Sequence, residues 1–202
     1  MGRIVVNNFI TIDGFYDGVS GTLDEVFAHR WSGYTSIDEF DIYILSLLDS
    51  CETLVLGKNT FLGSKAYWSL IDEKSDVSEI RKRLARRFRE IQKIVVGSSI
   101  QQSDLDGWGK SGFLNRTDYI DHFSTEKSKQ VPDTLVLMSR LMWNEMLGHR
   151  LIDELHLTVF PMAIGVGRSI FSSQPKCAFR LKESRSFPDS GNVLLVYDVV
   201  YE

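Results

Sequence analysis

Eight small or polar residues follow three short apolar runs, and their types suit the binding of a phosphate group. The runs are residues 53–56, 93–96 and 134–137, and the residues that follow them are Gly57, Lys58, Asn59 and Thr60, then Ser98 and Ser99, then Ser139 and Arg140. If the runs are parallel strands, their carboxyl ends meet at one edge of the sheet, where open α/β folds bind ligands. Backbone N–H groups at a helix start, beside a cation and hydroxyl donors, favour an anion. Three ordinary strand-to-helix turns remain the alternative, because neither G-x-G-x-x-G nor a P-loop pattern is present.

Asp13 is the candidate for orienting a substrate or relaying a proton, because an aromatic-rich loop follows it. If those aromatic side chains desolvate the carboxyl group, its pKa would be raised. The alternative is a simple Asp13-Gly14 turn, which these two residue types favour by themselves. Asp38 and Asp41 are second choices, although both suit the start of a helix.

The elements that must position these residues alternate between strands and helices and then become a run of strands. The predicted strands cover residues 3–12, 53–56, 93–96, 134–137, 155–160 and 192–201, with a hairpin around 179–183. The predicted helices cover residues 36 or 38 to 50, 57 to 68, 77–91, 117–122 and a segment that ends at residue 148. Between 101 and 131 we expect little regular structure before the helix at 117–122. This order predicts one α/β domain over residues 1–202, with three layers and a mixed, mostly parallel sheet that has antiparallel edge strands.

The stretch 151–171 combines an acidic pair, an alternating strand, Pro161 and two glycines. Period-two alternation predicts a half-buried strand that ends at the proline. Gly165 and Gly167 would allow a tight backbone path or the close approach of a ligand. Asp153 and Glu154 favour capping or dimer contacts over an acid–base pair, because adjacent strand residues point to opposite faces. A lone His156 on the polar side of the strand does not by itself indicate a ligand or a base.

Composition excludes several classes of protein. A net charge of −4 argues against a nucleic-acid or membrane-surface protein, and we find neither a signal-peptide pattern nor an apolar run long enough to span a bilayer. The histidines have no mutual spacing, so we expect no metal site. Six cations between residues 81 and 89 leave open a surface for an acidic partner, but a solvated helix face is the favoured interpretation. We therefore expect a soluble cytoplasmic protein that acts on a small molecule.

Several segments together resemble the reductase family that contains dihydrofolate reductase and the C-terminal domain of the riboflavin deaminase-reductase. They are LVLGKNTF at 54–61, KIVVGSS at 93–99, IDELHLTVFPMAIGVGRSIF at 152–171 and GNVLLVYDV at 191–199. The chain is most similar to stand-alone members, because it has no zinc deaminase pattern of His and Cys. The resemblance implies an NADPH-dependent oxidoreductase, often a homodimer, that reduces a pteridine or 5-amino-6-(5-phosphoribosylamino)uracil.

The resemblance also implies roles for the candidate residues. Gly57 to Thr60 would contact the cofactor phosphates, Ser98 and Ser99 would lie beside the adenosine 2′-phosphate, and Ser139 with Arg140 would begin the helix over the pyrophosphate. Gly165 and Gly167 would lie on the cofactor side. Asp13, Phe15 and Trp68 would face the substrate.

One position departs from the family pattern. Relatives usually place glycine after the third strand, whereas this chain has Met138, whose side chain would crowd the pyrophosphate. The alternative to a reductase is therefore an inactive nucleotide-binding or structural dimer on the same fold.

Overall fold

Eight strands form one sheet in the order β5-β4-β3-β6-β1-β7-β10-β9, and β2 with β8 forms a separate two-stranded sheet. The structure is a computed structural model that describes residues 2–19, 38–71, 74–129 and 131–201. The strands are β1 (Ile4–Thr11), β2 (Phe15–Asp17), β3 (Thr53–Gly57), β4 (Gln92–Gly97), β5 (Ser111–Asn115), β6 (Thr134–Leu137), β7 (Glu154–Phe160), β8 (Arg168–Ser169), β9 (Cys177–Phe187) and β10 (Asn192–Tyr201). The helices of the described ranges are α1 (Asp38–Ser50), α2 (Lys58–Trp68), α3 (Glu79–Glu90), α4 (Gln102–Leu105), α5 (Tyr119–Ser128) and α6 (Arg140–Gly148).

The six strands from β5 to β7 are parallel, and β10 and β9 add an antiparallel edge. Helices cover both faces of the parallel part. Phe61 of α2 and Phe88 of α3 pack in one apolar cluster with α1, whereas Trp143 of α6 packs in a second cluster with α5. Alternate residues of the continuous apolar strands serve the two clusters, with Leu54 in the first and Val55 in the second. The predicted fold class, a three-layer α/β fold with a mostly parallel sheet, is confirmed.

Two expectations about elements are wrong. The region from 101 to 131 contains β5, a parallel edge strand, and a helix that runs on to Ser128. The sequence of β5 is short and half-exposed, so it lacks the apolar run that identifies a central strand. The second error concerns β7, which is buried on both faces instead of one, because its polar side faces α1.

The basic face of α3 is partly held by the neighbouring helix. Arg81 forms an ion pair with the buried Asp41 at 3.2 Å, and Arg87 forms one with Asp49 at 2.8 Å. Arg87 also donates to the carbonyl of Leu48 at 2.6 Å, close to the last turn of α1. These contacts fasten α3 to α1, so part of the cationic run is explained inside the molecule. Asp41 therefore acts here as an ion-pair partner, while the side chain of Asp38 lies outside the described residues.

No helix within the described ranges is both long and apolar enough to cross a membrane.

Candidate functional site

The three turns that the sequence singles out lie side by side. Strands β4, β3 and β6 are neighbours in the sheet and run parallel, so their carboxyl ends share one edge. The backbone N–H of Gly57 donates to Ser139 Oγ at 2.9 Å, which joins the first and third turns. The ammonium group of Lys58 donates to the carbonyl of Ser99, which joins the first and second turns. The predicted convergence of these turns is confirmed.

Two helices begin at this edge without a side-chain cap. Neither Gly57 before α2 nor Ser139 before α6 provides a capping hydrogen bond, and neither helix has an acidic residue in its first turn. The first N–H groups of a helix have no partner within the helix, and the helix dipole makes that end electropositive. The edge therefore presents two adjacent electropositive ends, with the exposed Ser98 and Ser99 beside them.

The turn between β6 and α6 is strained. Met138 and Ser139 have φ angles of 53° and 50°, in the left-handed region that favours glycine. Each such residue costs about 1–2 kcal/mol. The N–H of Met138 donates to the carbonyl of Asn7 at 2.9 Å, and Asn8 Nδ2 donates to the carbonyl of Met138 at 3.2 Å. Contacts with β1 on both sides thus hold the turn in the conformation that glycine would adopt freely.

The hydroxyl of Ser139 is used inside the protein. Its Oγ donates to the carbonyl of Leu137 at 2.9 Å and accepts the N–H of Gly57 at 2.9 Å, and the residue is buried. A hydroxyl has one hydrogen to donate, so this one is already committed. Ser139 consequently shapes the edge by fixing the first turn against the third.

The guanidinium group of Arg140 faces the small sheet. Its Nη1 donates to the carbonyl of Ser169 at 3.0 Å. Desolvation lowers the pKa of Arg140, and the nearby Arg168 acts in the same direction. Arg168 itself pairs with the buried Asp17. The structure therefore places Arg140 at the start of α6, with its charge directed toward β2 and β8.

Asp13 binds the backbone of residues 164 and 165, within the stretch 151–171. Its Oδ2 accepts the N–H groups of Ile164 at 3.1 Å and Gly165 at 2.8 Å, and Thr11 donates to its other oxygen. Desolvation raises the pKa of this exposed carboxyl group, but the hydrogen bonds from Thr11, Gly165 and Ile164 outweigh it and the pKa is lowered. The conditional expectation of a raised pKa is not borne out among the described residues, where a hydroxyl and two backbone N–H groups donate to the carboxylate; residues 20–37 of the aromatic loop lie outside the described residues.

Residues 15–17 pair with 168–169 just beyond Asp13. Phe15 lies opposite Ser169, and its N–H donates to Thr11 Oγ1 at 3.0 Å. A β-carbon on Gly167 would collide with the carbonyl oxygen of Asp17, so this glycine permits a close backbone approach within the protein. A β-carbon on Gly165 would meet open space, but its φ of 73° favours glycine.

An apolar cluster, here called the Phe9 cluster, lies between Asp13 and the Met138 turn. It consists of Phe9, Phe160 and Met162, with Phe40, Met138 and Ile164 packed against them. The rings of Phe9 and Phe160 are 5.5 Å apart and edge to face, and Phe40 lies 6.2 Å from Phe9. Phe9, Phe160 and Met162 are buried, and the partly buried side chains of Phe40, Met138 and Ile164 provide an apolar surface beside the turns, where a flat ring could pack.

Trp68 lies at the far end of α2, about 15 Å along the helix from the edge. Its ring packs 4.9 Å from Phe88, and Arg81 lies 5.5 Å above it. The structure thus brings Trp68 together with α3. Its predicted place in a substrate pocket remains a prediction.

The sequence did not predict three buried polar residues that are joined by hydrogen bonds beside this site, Glu154, His156 and Tyr43. Glu154 and His156 face α1 from β7, where His156 contacts Tyr43, and all three are at most 6% exposed. Spacing of two residues on a strand places side chains on one face, so the Glu-x-His pattern could have indicated the pair. Tyr43, the partner on α1, could not be predicted from the sequence, because it lies 113 residues away from His156.

Comparison with known proteins agrees with this architecture. A model of the family described as "RibD C-terminal domain" matches residues 3–194. The uncharacterized protein YyaP of Bacillus subtilis is 21% identical over 196 residues, which are 96% of this chain and 94% of that protein. A putative riboflavin biosynthesis protein from Shewanella sp. PV-4 superposes with a TM-score of 0.63 at 17% identity, covering 98% of each chain. Dihydrofolate reductase from Enterococcus faecalis, solved with NADP(H), gives 0.56 at 14% identity and covers 98% of this chain and 96% of its own. The fold is thus that of dihydrofolate reductase.

Proposed function

The chain belongs to the RibD C-terminal domain family, and on that premise we propose that it is an NADPH-dependent reductase. One observation carries the proposal. The uncapped starts of α2 and α6 lie side by side at the carboxyl edge, joined by the hydrogen bond from Gly57 to Ser139.

The residues at this edge fit the phosphates of a dinucleotide. Two helix starts without acidic residues favour a group with several negative charges. Lys58, at the first of these helices, adds a positive charge next to Ser99, and the exposed Ser98 and Asn59 add hydrogen-bond donors. Backbone N–H groups at Lys58, Asn59 and Arg140 would hold the pyrophosphate, and the second turn would contact a 2′-phosphate.

When bound, NADPH supplies a hydride, and the protein must position the acceptor, exclude water and provide a proton. The Phe9 cluster supports the first two tasks, because its apolar side chains lie between the Met138 turn and Asp13. Asp13 fixes the turn at residues 164–165, and Phe15 follows directly. We propose that Asp13 and Phe15 border the substrate.

The substrate that we propose is 5-amino-6-(5-phosphoribosylamino)uracil or a pteridine. The support is the family resemblance together with the apolar surface of the Phe9 cluster, which suits a flat heterocycle. The Shewanella protein is named as a putative riboflavin biosynthesis protein, which favours the first of these substrates.

A second candidate is an inactive nucleotide-binding or structural protein on the same fold. The left-handed Met138 favours it, because a side chain stands where glycine would leave space for a cofactor. That side chain packs against the Phe9 cluster, which supports the reductase instead.

We further propose a homodimer. Leu181 of β9 and Val193 of β10, the two antiparallel strands at one edge of the sheet, are 55% and 39% exposed. Exposed apolar residues on neighbouring strands suit a self-complementary contact. Light scattering of Leu181→Glu against wild type tests this, with a shift from dimer to monomer expected. A monomeric wild-type protein would contradict it.

Turnover tests the main proposal. Purified protein is mixed with NADPH and either 5-amino-6-(5-phosphoribosylamino)uracil or dihydrofolate, and the decrease in NADPH absorbance is followed. We expect NADPH oxidation with one of these substrates, in wild type and in Met138→Gly. Activity in Met138→Gly alone would support the inactive-protein alternative. NADPH oxidation in neither protein would contradict the reductase proposal.

A further inference from the structure

The end of strand β5 adds a cation to the carboxyl edge. Strand β5 runs parallel to β4, with Asn115 opposite Gly97, and the N–H of Arg116 donates to the carbonyl of Gly97 at 3.1 Å. Arg116 therefore follows β5 at the level where Ser98 and Ser99, the second turn, follow β4. Neighbouring strands lie about 4.8 Å apart, so an arginine side chain at this position can reach the second turn. The sequence did not predict this neighbour, because it did not predict β5.

The side chain of Arg116 is held by Glu145 at the surface of the protein. Arg116 Nη2 donates to Glu145 Oε2 of α6 at 2.9 Å, and the two side chains are 46% and 39% exposed. Water screens a pair that is this exposed, so the pair contributes little to the stability of the fold. A guanidinium group also has five N–H donors, more than one carboxylate uses. Arg116 could therefore exchange Glu145 for another anion at little cost to the fold.

Lys58 and Arg116 reach the second turn from opposite faces of the sheet. Lys58 belongs to α2, which packs with α1 and α3, and its ammonium group donates to the carbonyl of Ser99. Arg116 extends toward α6, which packs with α5 on the other face. The carboxylates beside these two cations are Asp104, 3.9 Å from Lys58 Nζ, and Glu145. The exposed hydroxyl groups of the second turn therefore lie between two cations.

A phosphate monoester suits this arrangement better than a carboxylate does. It carries a charge of about −1.5 to −2 at pH 7 and has three acceptor oxygens, whereas Glu145 offers one negative charge. The planar donor fork of Arg116 matches phosphate oxygens in pairs. The hydroxyl groups of Ser98 and Ser99 add neutral donors at the same place. The 2′-phosphate of NADPH is a group of this kind.

We propose that Arg116 exchanges Glu145 for the 2′-phosphate of NADPH, and that this exchange sets the preference for NADPH over NADH. The proposal rests on the NADPH-dependent function proposed above. Glu145 is then a competitor of the cofactor, so removal of its charge should strengthen NADPH binding. NADH has no 2′-phosphate, so its affinity should not depend on either residue. A purely structural ion pair would give neither result.

Fluorescence titration with both cofactors tests the role of Arg116. We expect Arg116→Gln to raise the Kd for NADPH about tenfold and to leave the Kd for NADH within about twofold of wild type. Arg116→Lys keeps the charge but loses the donor fork, and should raise the Kd for NADPH about threefold. The control is Arg180→Gln, which breaks an exposed ion pair with Asp198 between β9 and β10 and should change neither Kd. Equal losses of affinity for the two cofactors, or no loss for either, would overturn the proposal.

Glu145→Gln should give a result of the opposite sign, and it also covers a failure of Arg116→Gln to fold. Without the competing carboxylate, the Kd for NADPH should fall about threefold, with the Kd for NADH unchanged. This gain should disappear when Glu145→Gln is combined with Arg116→Lys or Arg116→Gln, because the changes act on one ion pair. Weaker NADPH binding in Glu145→Gln would overturn the exchange. A gain that persists in the combined variants would come from net charge alone and would also contradict it.

These titrations need no substrate, so their failure is distinct from a failure of turnover. NADPH binding that depends on Arg116, without NADPH oxidation on either substrate, would support the exchange and contradict the reductase function. An active wild-type enzyme whose NADPH affinity is unchanged in Arg116→Gln would overturn the exchange and leave the reductase function standing. A wild-type protein that binds no NADPH would overturn both.

Discussion

The carboxyl edge and the space between β7 and α1 hold polar groups in opposite ways. At the edge Ser98, Ser99 and Asn59 are exposed, and two helices begin without a side-chain cap. Between β7 and α1, Glu154 and His156 are each 6% exposed and joined by a hydrogen bond of 2.5 Å. Open donors at the edge are available to a ligand, whereas the paired groups in the interior hold β7 against α1. We therefore expect variants of the interior groups to change the stability of the protein, and variants of the edge to change ligand binding.

Glu154→Ala should have the largest effect. It leaves the buried His156 and the half-exposed Lys182 without their carboxylate, and we expect the free energy of unfolding to fall by about 3 kcal/mol. Urea denaturation measures this. The control is Glu183→Ala, which breaks an exposed ion pair with Arg185 and should cost less than about 1 kcal/mol. Similar losses in the two variants would show that Glu154 is not held as described.

Acid should remove the same stabilisation. The hydrogen bond from His156 lowers the pKa of Glu154, desolvation opposes it and Lys182 lowers it further, to about 2 from an ordinary 4.5. A lowered carboxyl pKa stabilises the fold above the unfolded-state pKa, and this contribution is lost as pH falls from about 4.5 to about 2. At about 1.4 kcal/mol per tenfold change in proton affinity, it is worth about 3 kcal/mol. Unfolding free energy measured across this range should fall less steeply in Glu154→Gln than in wild type, and equal slopes would refute the assignment.

At the edge, Lys58→Met should weaken NADPH binding about tenfold and leave stability nearly unchanged. The ammonium group contacts the carbonyl of Ser99 and lies 3.9 Å from Asp104, so the fold depends little on it. Lys65→Met on the same helix is the control, because Lys65 holds the carbonyls of Asp104 and Asp106, further along α2. Fluorescence titration should show wild-type affinity in Lys65→Met and about tenfold weaker binding in Lys58→Met. An unchanged Kd in Lys58→Met would remove Lys58 from the phosphate site.

The smallest effect should come from the strained turn. Met138→Gly and Met138→Ala remove the same side chain, but alanine keeps a β-carbon at a φ of 53°. We expect the glycine variant to be more stable than the alanine variant by about 1 kcal/mol in urea denaturation. Equal stability, or a more stable alanine variant, would mean that the turn relaxes to another conformation.

The sequence predicted the fold well because the central strands and helices carry strong periodic patterns. The runs at 53–56 and 134–137 are buried on both faces, as continuous apolar runs indicate. Strand β5 escaped prediction because an edge strand needs no such run, and its Ser-Gly-Phe-Leu-Asn sequence resembles a loop.

The site was only partly predictable. The carboxyl-edge rule placed Gly57, Lys58, Ser99 and Ser139 together, since it depends only on strand direction. Which hydroxyl stays free does not follow from spacing, and Ser139 proved to be committed to Leu137 and Gly57. The lowered pKa of Asp13 depends first on the hydroxyl of Thr11, two residues away, and then on the N–H groups of Gly165 and Ile164, about 150 positions away, which no local pattern records.

The central claim is that the carboxyl edge binds the phosphates of NADPH, and equilibrium titration of cofactor fluorescence tests it most directly. Wild-type protein should bind NADPH with saturation, bind NADH at least about tenfold more weakly for lack of the 2′-phosphate, and lose affinity as salt rises. No binding at millimolar NADPH, or equal affinity for the two cofactors, would contradict the account.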